Sequence, residues 1–69
     1  METMQTFTSE SDAKTELRRQ CECGYDSAMV DGPGDGEWTV MPVKDAEEFG
    51  AYVTATRDGR LCQVKMMKP

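Results

Sequence analysis

The stretch Asp31-Gly32-Pro33-Gly34-Asp35-Gly36 constrains this chain more than any other. Three Gly and one Pro in six residues cannot form the interior of a helix or a strand. Gly loses the most backbone entropy on ordering, and Pro lacks an N–H. The stretch must therefore be a turn. Beyond it, residues 37–43 (EWTVMPV) form the clearest strand, with Trp38 and Val40 on one face and Thr39, Met41 and Val43 on the other. Pro42 cannot donate to a ladder, so this strand ends there or lies at an edge. Residues 25–31 (YDSAMVD) read as its hairpin partner.

The flanking segments supply the rest. Residues 4–8 (MQTFT) are short and rich in β-formers, which predicts a first strand. Ser9 with Asp12 three residues later has capping-box spacing, with Asp where Glu is the better partner. Ala13, Leu17 and Cys21 then recur at intervals of four, a thin apolar stripe. Arg18 and Arg19 complement the dipole near the far end, and Gly24 follows as a stop. These signals predict a helix over Glu10–Glu22. Asp45, with Glu48 at the third position, opens a second helix. Its apolar face would be Ala46, Phe49, Tyr52, Val53 and Thr56. Gly50 inside it costs about 1 kcal/mol relative to Ala and points to close packing or a short helix. Asp58-Gly59 would end it. Residues 60–67 (RLCQVKMM) alternate Cys62, Val64 and Met66 against Leu61, Gln63 and Lys65, which predicts a strand.

The resulting order, β-α-β-β-α-β, is the split βαβ arrangement of ferredoxin-like folds. It predicts a single small α+β domain over residues 1–69, with residues 31–36 as a hairpin tip and 67–69 as a short tail. Four antiparallel strands would carry both helices on one face. The inward face would collect Phe7, Met29 (or Ala28 with Val30), Trp38, Val40, Cys62, Val64 and Met66, under Leu17, Cys21, Phe49 and Val53. The second-best architecture is a β-meander with one packed helix.

With 69 residues the chain makes one domain and buries only about 60% of its unfolded surface. Large multi-layer enzyme folds are excluded, and no run approaches the ~20 apolar residues of a membrane span. The first ten residues lack the basic and apolar regions of a signal peptide. Three Cys cannot complete a disulfide framework, so thiols in a reducing cytosol are expected. The absence of His removes the commonest catalytic base and metal ligand.

The net charge of -5 is unevenly spread. Residues 20–43 hold Glu22, Asp26, Asp31, Asp35 and Glu37 and no base, whereas residues 57–69 hold Arg57, Arg60, Lys65 and Lys68 against Asp58. An acidic middle disfavours direct nucleic-acid binding, because phosphates need Lys or Arg. The turn resembles a calcium loop only in composition: counted from Asp31, positions 3 and 12 are Pro33 and Pro42. Cys21-Glu22-Cys23 with Cys62 falls short of a tetrahedral zinc set. A thiol redox role remains an alternative, against which Cys21 and Cys62 fall on apolar faces where free Cys packs as a small hydrophobe.

The sequence therefore predicts a non-enzymatic protein–protein interaction module without a cofactor or metal. Its contact surface would be Tyr25, Asp26, Asp31, Asp35 and Glu37, and its partner a protein with a basic surface. Small acidic inhibitors of nucleic-acid-handling host defence complexes, carried by phages and mobile elements, share this size and charge, an analogy of class rather than of residues. No membrane or direct nucleic-acid contact is expected. The alternatives are a thiol redox or metal protein using Cys21, Cys23 and Cys62, and a homodimer or larger oligomer that completes a small core.

Overall fold

A computed structural model describes residues 4–32 and 34–65. Met66, Met67, the tail and Pro33 lie outside the described residues. The elements are β1 (Gln5–Phe7), α1 (Glu10–Glu22), β2 (Ser27–Asp31), β3 (Trp38–Pro42), α2 (Val43–Ala46), a 3-10 turn (Glu47–Phe49), β4 (Ala51–Ala55) and β5 (Leu61–Lys65). The fold is α+β, as the sequence predicts.

Helix α1 forms where its caps specify. Ser9 is extended, at φ -124° and ψ 125°, and its hydroxyl accepts from the Asp12 amide at 3.3 Å. Glu10 pairs with Lys14 one turn on, at 3.4 Å. The far end closes at Gly24, whose φ of 92° only glycine adopts readily. There the Tyr25 amide donates to the Gln20 carbonyl at 3.0 Å. The hairpin also forms as predicted, with Ser27–Asp31 paired to Trp38–Pro42 and Pro42 as the last residue of β3.

The second half departs from expectation at Gly50. The predicted long helix is only the one turn of α2 plus the 3-10 turn, and it ends where Gly50 takes φ 79°. Residues 51–55 (AYVTA) form β4 instead, antiparallel to β2 through Ala28↔Thr54 and Met29↔Val53. Tyr, Val and Thr favour a pleated, half-buried surface, and β2 offers an open edge to pair with. Asp58-Gly59 ends no helix; it turns the β4–β5 hairpin. Thr56 N–H donates to Arg60 O at 2.8 Å across that turn.

The sheet therefore has five strands rather than four, ordered β1-β3-β2-β4-β5 with every neighbouring pair antiparallel. The unit β1-α1-β2 is a split βαβ around β3, as predicted. The unit β3-α2-β4 is a second one, but it brackets β2 instead of β1. Both crossovers move the same way across the sheet from oppositely directed strands. Crossovers of one hand then put their helices on opposite faces, not on one. The core confirms this placement. Ala13, Leu17 and Cys21 of α1 pack on Met29 and Val40, joined by Phe7, Trp38, Val53, Ala55 and Leu61. On the other face Ala46 of α2 packs on Ala28, Val30 and Met41, joined by Val43 and Tyr52. Residues on successive positions of a strand point to opposite faces. Cys62 therefore leaves the α1 face to Leu61 and is exposed, and Phe49 is 58% exposed rather than core.

Candidate functional site

The fold sorts charge along the strands. Asp31 ends β2, and Asp35 and Glu37 follow in the hairpin loop, where Gly32 N–H donates to Glu37 O at 2.8 Å. The Glu37 carboxylate folds over Gly34, in space that a Cβ would occupy. The N-terminus of α1 comes to the same end: Glu10 and Lys14 line a cleft with Asp31 and Trp38. Asp31 and Asp35 are exposed, and Glu37 and Glu10 are half-buried. Sequence spacing alone did not place Glu10 beside Asp31, 21 positions later; the crossover does.

All four arginines of the sequence lie at the opposite end. Arg18 and Arg19 fall near the C-terminal end of α1, and Arg57 and Arg60 lie in the β4–β5 turn. Arg18 Nε donates to Gly59 O of that turn at 3.2 Å, which ties the two groups together. Arg19 donates to Glu16 through Nε and Nη2, and Glu16 also accepts from Gln20 Nε2 at 2.9 Å. Hydrogen bonds from Arg19 and Gln20 hold the Glu16 carboxyl below its usual range. In the turn, the Thr56 hydroxyl and the Asp58 amide do the same for Asp58.

Tyr25 and Asp26 stand at this arginine end, one β2 length (about 17 Å at ~3.4 Å per residue) from the acidic tip. The five predicted contact residues are thus two groups. Asp31, Asp35 and Glu37 come together, whereas Tyr25 and Asp26 line a cleft of about 330 Å³ with Cys21, Ser27 and Arg57. Cys21 is buried there, its thiol 3.9 Å from the Ser27 carbonyl, while Cys23 and Cys62 are exposed. Among the described residues no group of three or more Cys, Asp or Glu is arranged to hold a metal ion. No helix of the described residues is long and apolar enough to cross a membrane.

A second feature was not anticipated from the sequence. Because α2 is one turn long, it leaves part of its sheet face uncovered. A groove of about 230 Å³ remains there, walled by Val30, Met41, Met4 and Phe49. Met4 and Phe49 are the large hydrophobic side chains most open to solvent among the described residues, at 62% and 58%. The hydroxyl protons in this wall are already engaged. Thr39 Oγ1 donates to Gly32 O at 2.8 Å, so in its 3.1 Å contact with Thr6 Oγ1 it must accept. Gly32 lies on the groove's margin, and its N–H donates to the Glu37 carbonyl of the hairpin loop. The missed signal was Gly50: read as a helix stop, it leaves Phe49 without a core position.

Comparison with protein-family models, with curated proteins and with solved structures finds no match to this chain.

Proposed function

We propose that this chain is a non-enzymatic protein-binding module whose acidic hairpin end docks on a basic surface of a partner protein. The observation that carries this reading is a net acidic end: Asp31, Asp35, Glu37 and Glu10 outnumber Lys14 and Lys65 there, whereas every arginine lies at the other end, offset by Glu16, Glu22, Asp26 and Asp58. A separated charge distribution orients the module as it approaches, raising the on-rate and making binding salt-sensitive. Proteins that present an extended basic surface are commonly those that hold nucleic acid, whose phosphates require it. An acidic module on such a surface would compete with the nucleic acid, which is how a small inhibitor of a nucleic-acid-handling complex would act.

The test compares capture of protein from a lysate of the native host by three forms of the chain, at low and at high salt. These are the wild type, the triple variant Asp31→Lys/Asp35→Lys/Glu37→Lys, and the arginine-end control Glu22→Lys. A partner retained by wild type and Glu22→Lys at low salt, and released by the triple variant or by high salt, is the expected result. Equal retention by all three forms, with no salt dependence, would refute the reading.

A further inference from the structure

Gly32 links the apolar groove to the hairpin loop that holds Asp35 and Glu37, and the reading of the chain as a binding module leaves the groove unused. We propose that the groove is an anchor site for one apolar side chain, of leucine or phenylalanine type, borne by a partner segment whose flanking residues are Lys or Arg. This deepens the proposed function and rests on it.

The occupant follows from three observations. At about 230 Å³ the groove lies below the ~300 Å³ at which small-molecule sites begin, so its size suits one side chain. Its wall offers Met4, Val30, Met41 and Phe49, and the hydroxyls of Thr6 and Thr39 are spent on each other and on Gly32. An acceptor group entering there would lose its water and find no free hydroxyl proton, so an apolar guest is favoured. Methionine adapts to an irregular guest, and the exposed Phe49 ring can close over it. Gly32 then joins the groove directly to the hairpin, and its backbone pairs with Glu37. Asp31 shares the α1 face with Met29, so the acids that border the groove are Glu37, bonded to Gly32, and the exposed Glu47 and Glu48, which precede Phe49 in the 3-10 turn. They select basic residues next to the anchor and reject acidic ones. Apolar centre and charged margin together have the anatomy of a protein interface.

The experiment titrates three peptides into isotopically labelled protein and follows backbone amide shifts. One peptide has a leucine between two pairs of arginines; one has alanine in place of that leucine; one keeps the leucine between pairs of glutamates. The leucine–arginine peptide should shift the amides of Val30, Gly32, Thr39 and Met41 together with the hairpin. It should bind at least ~10-fold more tightly than the alanine peptide, since leucine buries several more carbons at ~0.8 kcal/mol each. The glutamate peptide should not bind. Phe49→Ser, an exposed position, should erase the leucine-over-alanine preference and leave the residual arginine-driven binding intact. If leucine and alanine peptides bind alike, with shifts confined to the hairpin, the groove assignment is overturned while the electrostatic reading stands. If neither arginine peptide binds, both fail. Shifts of the groove amides that depend on protein concentration alone would show a second copy in the groove and would also overturn the assignment.

Discussion

Ser27 is the sharpest test of how α1 is fastened to the sheet. It is 1% exposed, and its hydroxyl donates to Gln20 Oε1 at 2.5 Å; Gln20 is itself 3% exposed. Gln20 passes the network on to Glu16, which Arg19 holds at the surface. Ser27→Ala removes one donor and leaves the Gln20 oxygen buried without it, which costs about 1–3 kcal/mol. Replacing Gln20 by Met, of similar length and apolar, removes the orphaned oxygen, and Glu16 keeps Arg19. The double variant Gln20→Met/Ser27→Ala should therefore recover most of the loss. The coupling between the two sites would be about 1–3 kcal/mol, as for residues in one hydrogen-bond network. Thermal unfolding followed by far-ultraviolet circular dichroism reads this easily, because 1 kcal/mol moves the midpoint by about 4–8 °C in a domain of this size. Urea unfolding gives the free energies. A Ser27→Ala loss below about 0.5 kcal/mol, or a double variant showing the sum of the single losses, would refute the claim that this pair is a desolvated hydrogen bond.

Three further outcomes are expected. Leu17, fully buried, should cost about 2–5 kcal/mol as Leu17→Ala, whereas Phe49→Ala should stay within about 0.5 kcal/mol in the same urea assay; a loss of about 3–5 kcal/mol at Phe49 would restore it to a helical core. Glu16 and Asp58 have folded-state pKa values below their ordinary 4.5 and 3.8, so their contribution is complete above those values and is lost as pH falls through the depressed ones; Glu16→Gln/Asp58→Asn should flatten the acid fall of the urea midpoint, and an unchanged slope would count against it. A thiol reagent should modify Cys23 and Cys62 quickly and Cys21 only slowly, and three equal rates would contradict the burial of Cys21.

The first half of the molecule was legible because its signals are local and agree with one another. Ser9, the Ala13–Leu17–Cys21 stripe and Gly24 all specify one helix, and the glycine-rich turn specifies one hairpin. Residues 46–56 were ambiguous because Ala46, Phe49, Tyr52, Val53 and Thr56 fit a helical spacing, while residues 51–55 (AYVTA) are equally good strand formers. Asp58-Gly59 between alternating segments was a hairpin signal that the helical reading absorbed. Of the candidate contact residues, Asp31, Asp35 and Glu37 could be grouped from sequence because one turn contains them. Tyr25 and Asp26 are near them in number only, since the whole of β2 intervenes.

The amino-acid sequence by itself determined α1, its caps, the hairpin and an acid excess near the middle of the chain, since each depends on residues within a turn or two of one another. Tertiary structure alone decided that residues 51–55 join β2 as a strand, because β2 has a free edge whose backbone groups require partners. That pairing shortens α2, sends the two helices to opposite faces and uncovers the groove beside the acidic tip. It also brings the β4–β5 turn to α1, where Arg18 bonds Gly59, and the α1 crossover places Glu10 in one cleft with Asp31, arrangements of distant residues that no local pattern encodes.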